Sequence, residues 1–262
     1  MSADGITLEA RAFAKINLGL EILGKRPDGY HELRTILQTV DFHDRLRFVR
    51  GPGEGVALVS DLADVEHDDN LVVRAARALA SCAGVPMPGT TIHLEKAIPA
   101  GMGLGGGSSD AAVTLMALNR LWNLGLERPE LHSIASGLGM DVPFFLYGGA
   151  AVAVGAGAEV YPMELGEPRP VVLILPEFSI ATAEAYSRLR LTKSEMALTL
   201  QHFAWRSPSH RDEPFDLVNH LEGATGEHAS TIEAHKRSLI DLGALTAMMS
   251  GSGASIFGLF PT

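Results

Sequence analysis

Residues 99–109 read PAGMGLGGGSS, with glycine at positions 101, 103, 105, 106 and 107 ahead of Ser108 and Ser109. So many glycines leave no side chain to build a core, so their use lies in the backbone. Without a Cβ the chain can come close to a ligand, and several N–H groups can turn toward one point. Apolar residues at helical spacing from Ala111 to Trp122 put the loop ahead of a helix. There, unpaired N–H donors and the positive end of the dipole favour an anion. The serines add hydroxyls suited to phosphate or a metal ion. A turn that needs positive φ calls for one or two glycines; the larger number predicts a phosphate cradle.

Three other stretches mimic nucleotide-handling motifs and fail on context. Gly19 to Lys25 nearly spells a Walker A loop, but Arg26 replaces the required Ser/Thr and Leu20 to Leu23 reads as strand. Gly101, Gly103 and Gly106 satisfy G-x-G-x-x-G, yet helices follow where a dinucleotide fold needs a second parallel strand ending in an acid. His210-Arg211-Asp212 with Asp241-Leu242-Gly243 imitates a protein-kinase pair without room for an activation segment, and Arg206 to Pro214 reads as an exposed loop.

Other side chains could do chemistry, each with a plain structural alternative. Asp141 stands before Val142-Pro143, as a cap or turn residue would ahead of a strand. Lys15 lies in an apolar run, where an ammonium needs a partner unless it snorkels from an edge strand. Asn17 shares its strand face. Tyr30-His31 follows an Asp28-Gly29 turn, and Tyr186 shares a helix face with Thr182. The ten histidines show no metal-binding spacing.

The elements that must position these groups follow from pattern. Thr7 to Phe13, Ile16 to Leu23, Asp44 to Val49 and Thr90 to Ile98 read as strands. A helix opens at Asp68-Asp69-Asn70, with acids at its start, and runs toward Gly84. A second helix follows the glycine loop, a third spans Pro129 to Ser136, and Phe144 to Val154 returns to β character. Pro162, Pro168 and Pro170 mark a boundary, dividing the chain into 1–161 and 162–262. Beyond it, strand Val171 to Leu175 and helices Thr182 to Leu189 and His228 to Leu242 lead to a β region ending at Phe260. The class is α+β, in two domains.

At 262 residues, 46% hydrophobic and with a formal net charge of −10, the chain is globular in composition and unsuited to general nucleic-acid binding. Its apolar runs are too short to span a bilayer, its start lacks export features, and the lone Cys82 fits a cytoplasmic protein. An anionic ligand therefore needs local help from amides, placed cations or a metal.

Four motifs in order, AFAKINLGLEILGKRPDGYHEL (12–33), the glycine loop, GMDVPFF (139–145) and SGSGA (250–254), resemble the GHMP kinases: galactokinase, homoserine kinase, mevalonate kinase and phosphomevalonate kinase. Within that superfamily the opening segment is similar to members that phosphorylate a cytidine diphosphate sugar alcohol in non-mevalonate isoprenoid synthesis. The resemblance implies an N-terminal ribosomal-S5-like domain and a C-terminal ferredoxin-like domain. It implies transfer of the ATP γ-phosphoryl group to a 2-hydroxyl, with Mg2+ carried on the phosphates and anchored by Ser108 or Ser109. Asp141 would accept the proton, and Lys15 would pair with it and lower its pKa. ATP would lie on Pro99, Ala100, Gly101, Met102, Gly103, Leu104, Gly105, Gly106, Gly107, Ser108 and Ser109, with Asn70 and Lys96 beside adenine or ribose. Asn17, Tyr30, His31, Thr182 and Tyr186 would meet the acceptor, with Tyr30 stacking on cytosine. Two departures stand out: His220 replaces an aspartate common in the family, and little chain follows Phe260. The competing readings are another GHMP small-molecule kinase and a catalytically inactive nucleotide sensor on the same fold.

Overall fold

The strand-like stretches at the start of the chain merge into two long strands, β1 (Thr7–Lys25) and β2 (His31–Glu54), which pair with each other. The Asp28-Gly29 turn joins them, with Gly29 at φ +90 and the Arg26 N–H donating to the Tyr30 carbonyl at 2.8 Å. This computed structural model describes residues 6–61, 69–189 and 216–262. The Arg206 to Pro214 stretch, with its His210-Arg211-Asp212, lies outside the described residues. The chain divides into two compact units that interleave along the sequence.

The first unit is Met1–Ala14, Asp41–Ala100 and Gly105–Gly148. In it β3 (Val56–Ser60) runs parallel to β4 (Pro88–Glu95), and β4 pairs antiparallel with β2 from Arg45 onward. Three helices, α1 (Leu71–Ala83), α2 (Gly106–Leu121) and α3 (Arg128–Leu138), pack on one another. Helix α1 buries Val72, Ala75, Ala76 and Leu79, and α2 buries Ala111, Ala112, Leu115 and Leu118. Helix α1 is buried on one face, whereas α2 is buried on all sides from Ser109 to Leu115. Gly84 closes α1 in the left-handed region, as its sequence signal predicts.

The second unit is Lys15–Val40, Gly101–Leu104 and Gly149–Thr262. Here β2 pairs antiparallel with β5 (Ala150–Gly155) from Leu33 to Gln38, and β5 with β6 (Glu159–Met163). A three-stranded antiparallel sheet has the order β7 (Val171–Ile174), β9 (Ile256–Leu259), β8 (Thr246–Met249). Among the described residues the unit also holds two α-helices, α5 (Thr182–Arg188) and α6 (Ala229–Asp241). Leu20, Ile22, Leu33, Ile180, Ile232, Leu239, Met249 and Ile256 share its apolar core.

Four expectations are corrected. Helix α2 starts at Gly106, inside the glycine run rather than after it, so Gly106, Gly107, Ser108 and Ser109 form its first turn. Residues Val142–Phe145 are a short helix, α4, and β structure resumes only at Ala150. Pro143 fits there because a first-turn residue needs no intrahelical N–H bond. Strand β4 ends at Glu95, ahead of the expected Ile98. The start of α1 has no acid in its first turn; Asn70 caps it instead, accepting from the Val72 N–H at 2.9 Å. Among the described residues no helix is long and apolar enough to cross a membrane.

Candidate active site

The glycine loop is shared between the units, and in the second it is tied down at every residue from Met102 to Leu104. The Leu104 carbonyl accepts from the Lys15 N–H at 2.9 Å. The Gly103 carbonyl accepts from Lys15 Nζ at 2.9 Å and Ser250 Oγ at 3.0 Å. The Met102 carbonyl accepts from Ser255, through its Oγ at 2.6 Å and its N–H at 3.2 Å. Ser250 of the SGSGA motif, Ser255 just after it and Lys15 therefore form the bed on which this half of the loop rests. Gly103, at φ +72, would put a Cβ directly on the Ser250 carbonyl oxygen. Its lack of a side chain serves this backbone contact, where the sequence pointed to a ligand.

Lys15 is 3% exposed and donates also to Asn17 Oδ1 at 2.6 Å. Asn17 Nδ2 donates to Thr35 Oγ1 at 2.8 Å, and Thr35 Oγ1 donates to the Gly19 carbonyl at 2.6 Å. The Asn17 amide is thus engaged at both ends inside the protein, and it orients Lys15.

In the first unit, Gly105 (φ 71) opens α2, and the first turn presents its backbone donors at the helix N-terminus. Ser108 is half-buried and Ser109 buried. A Cβ on Gly107 would lie 3.5 Å from Leu71, so the start of α1, capped by Asn70, borders the start of α2. A Cβ on Gly106 would meet Ile98 Cγ2 at 2.9 Å and Lys96 Nζ at 3.2 Å. Lys96 itself is held in a buried ion cluster: it bonds Asp44 Oδ2 and reaches Asp110 Oδ2 at 2.8 Å. Asp44 Oδ1 accepts from the Ala97 and Ile98 N–H groups at 2.6 and 2.8 Å, just before Pro99. The cluster therefore fixes the chain entering the glycine loop and the helix leaving it.

Two carboxylates on one ammonium leave a charge in excess, and Asp110 Oδ1 is buried without a hydrogen-bond partner. Burial pushes the Asp110 carboxyl up to about 7, with Lys96 opposing and Asp44 reinforcing the shift. Burial works against the Lys96 charge too, but Asp110 and Asp44 outweigh it and raise its pKa. The folded chain thus keeps a proton on Asp110 that the unfolded chain, with an ordinary Asp near 3.9, releases. Between about pH 4 and pH 7 this group's contribution to stability falls as pH rises. The Tm of Asp110→Asn minus that of the parent is expected to increase from pH 5 to pH 8; a difference flat with pH would refute the shift.

Asp141 is half-buried and precedes α4, whose Phe144 and Phe145 rings meet edge to face at 5.0 Å and anchor the turn. In the second unit the His31 and Tyr186 rings stack, with centroids 4.8 Å apart and planes at 25°. Thr182 Oγ1 lies 2.9 Å from Ser252 Oγ, linking α5 to the SGSGA loop. Tyr30, 52% exposed, leaves its ring open to solvent while its N–H donates to Asp28 Oδ1 at 3.1 Å.

Asp44, Asp110, Thr35, Ser255 and Asn219 escape the sequence reading. For Asp44 a signal exists: it shares strand parity with Leu46 and Phe48, exposed by 0%, 2% and 0% respectively. Lys96 likewise continues the buried parity of Ile92 and Leu94. A charge in a core slot needs a buried partner.

A glycine loop opening a helix in an α+β fold, with a lysine held against its backbone, defines a small-molecule kinase of the GHMP class. Residues 70–149 match the GHMP kinases N terminal domain and residues 209–262 the GHMP kinases C terminal domain. The 4-diphosphocytidyl-2-C-methyl-D-erythritol kinase of Thermodesulfovibrio yellowstonii is 40% identical over 97% of this chain and 90% of its own. That of Prosthecochloris aestuarii is 42% identical over 97% and 89%. A crystal structure of 4-(cytidine 5'-diphospho)-2C-methyl-D-erythritol kinase superposes with a TM-score of 0.84 at 36% identity, covering 96% of this chain and 90% of the other. Homoserine kinase from Cytophaga hutchinsonii shares the fold, with a TM-score of 0.70 at 20% identity over 99% and 86%. The chain belongs to the 4-diphosphocytidyl-2-C-methyl-D-erythritol kinase family of GHMP kinases.

Proposed function

We propose that this kinase transfers the γ-phosphoryl group of ATP to the 2-hydroxyl of 4-diphosphocytidyl-2-C-methyl-D-erythritol, a cytoplasmic step of non-mevalonate isoprenoid synthesis. The observation that carries the acceptor is the His31–Tyr186 ring pair beside the exposed Tyr30, a surface suited to a nucleobase. The roughly 40% identity to relatives of that name supports it over the homoserine and mevalonate alternatives. The buried Lys15 and the placed Asp141 support an active enzyme over a nucleotide sensor. Division at 161/162 into two kinase domains is part of the same reading, since the family matches fall on either side of it.

In this mechanism the first turn of α2 and the Gly101–Leu104 backbone receive the phosphates of ATP, with Asn70 and Lys96 bordering that region. Asp141 accepts the proton of the attacking hydroxyl, and Lys15 offsets negative charge as the phosphoryl group moves. Mg2+ carried on the nucleotide would supply charge neutralisation at the phosphates. The half-buried Ser108 hydroxyl suits it better than Ser109, which is buried. Tyr30 stacks on cytosine, and His31 hydrogen-bonds the base edge with Thr182 and Tyr186 alongside.

A thermal-shift panel with an ATP analogue plus CMP, mevalonate, galactose or homoserine tests the acceptor class. Selective stabilisation by CMP is expected, because selective binding raises apparent stability; stabilisation by another acceptor instead would displace this reading. Tyr30→Ala is expected to raise KM for the cytidine substrate roughly 5- to 150-fold, the equivalent of about 1–3 kcal/mol of stacking, with KM for ATP unchanged. Tyr30→Phe keeps the ring and is expected to be silent. Equal losses for both substrates would mean that Tyr30 serves packing alone.

A further inference from the structure

Asn219 lies ahead of a short 3-10 turn, His220–Ala224, and is buried. Its amide is fully used: Oδ1 accepts from the Leu221 N–H at 2.9 Å, and Nδ2 donates to the Met249 carbonyl at 2.9 Å and the Gly251 carbonyl at 2.8 Å. Nearby, Glu222 Oε1 accepts from the Met249 N–H at 2.8 Å, and its Oε2 accepts from Lys236 Nζ at 2.8 Å. The turn therefore grips the end of β8 through both its N–H and its carbonyl, and Asn219 also reaches two residues further, to Gly251.

Gly251 is the point where this grip meets the lysine. A Cβ there would stand 3.1 Å from Asn17 Oδ1, 3.3 Å from Lys15 Nζ and 3.4 Å from the Gly103 carbonyl. The preceding Ser250 Oγ accepts from the Asn17 N–H at 3.2 Å while donating to the Gly103 carbonyl. Residues 250–251 thus bond to, or lie against, the two residues, Asn17 and Gly103, that hold acceptors of Lys15 Nζ. Two carbonyls facing one amide also make the Asn219 donors hard to replace, because a buried carbonyl left unpaired costs its full desolvation.

We propose that Asn219 is a positioning residue for Lys15, acting through the Gly251 carbonyl to hold the lysine's acceptors on Asn17 and Gly103 in place. The inference rests on the reading of Lys15 as the cation that offsets charge in the transfer. It gives the Asn219 side chain a part in kcat and none in substrate affinity.

Asn219→Asp separates this role from simple turn capping. The carboxylate still accepts from the Leu221 N–H, as a good cap does, but has no hydrogens for Met249 and Gly251. Expected is a kcat roughly 10- to 100-fold lower, the scale of a small misplacement, with both KM values nearly unchanged. Lys15→Met alone is expected to lower kcat roughly 10²- to 10³-fold. In that background Asn219→Asp is expected to cost less than about twofold more, since both changes remove one function. A folded Asn219→Asp with the parent's kcat overturns the inference, as does an equal loss in the Lys15→Met background. Should Asn219→Asp fail to fold, Gly251→Ala probes the same link from its other end. A loss that vanishes in the Lys15→Met background supports the inference, and a parental kcat overturns it. If Lys15→Met keeps the parent's kcat, the reading of Lys15 falls and this inference with it; a damaging Lys15→Met beside a silent Asn219→Asp removes the inference alone.

Discussion

Asp141→Asn is expected to fold as the parent does, bind both substrates, and lose roughly 10²–10⁴ in kcat, the usual contribution of a general base. The amide matches the carboxylate in size and can occupy the same place before α4, where the buried Phe144 and Phe145 hold the turn. It cannot take up the proton that the acceptor hydroxyl must give away. Single-turnover rates with the cytidine substrate, together with the Kd of each substrate, check this. Near-parental turnover would remove Asp141 from the mechanism. A large change in either Kd would make its role one of binding.

Gly103→Val is expected to damage the fold before it damages any one ligand. The residue sits at φ +72, and its Cβ would fall on the Ser250 carbonyl. The left-handed backbone alone costs a non-glycine residue about 1–2 kcal/mol, and displacing buried backbone adds more. A total of about 3–5 kcal/mol is among the larger single-residue effects, and corresponds to a Tm fall of about 6–20 °C in a chain of this size. Cytidine and ATP binding should both suffer. A variant with parental Tm and a selective loss of ATP affinity would return Gly103 to the phosphate-approach role that glycine-rich composition alone indicates.

These cases show which parts of the site are legible in the sequence. The glycine cluster announces a loop leading into a helix, and Gly101, Gly103 and Gly105 precede it while Gly106 and Gly107 belong to its first turn. The reason for individual glycines is hidden, because the atoms that fill the space at Gly103 and Gly106 belong to Ser250 and Ile98. Asp44 and Lys96 were legible in principle, being charges at core parity in alternating strands. The Asn219 contacts leave no such trace: two are backbone carbonyls 30 and 32 residues away, and every residue has a carbonyl. The short helix α4 reads as strand because Val142, Phe144 and Phe145 favour β structure, whereas the local proline geometry and burial against α2 favour a helical turn.

The interleaving of the two units has a consequence for how the chain is made. The residues of β2 from Leu33 to Gln38 find their β5 partners only at Ala150–Gly155. At a synthesis rate of about 5–20 residues per second, that stretch of β2 waits roughly 5–25 s on the ribosome with one edge unpaired. The second unit waits longer, since its last strand, Ile256–Leu259, is the final element to emerge. The first unit, by contrast, has all its segments once Gly148 is made. During that interval an apolar strand edge is open to neighbouring nascent chains, the circumstance in which holding chaperones matter most.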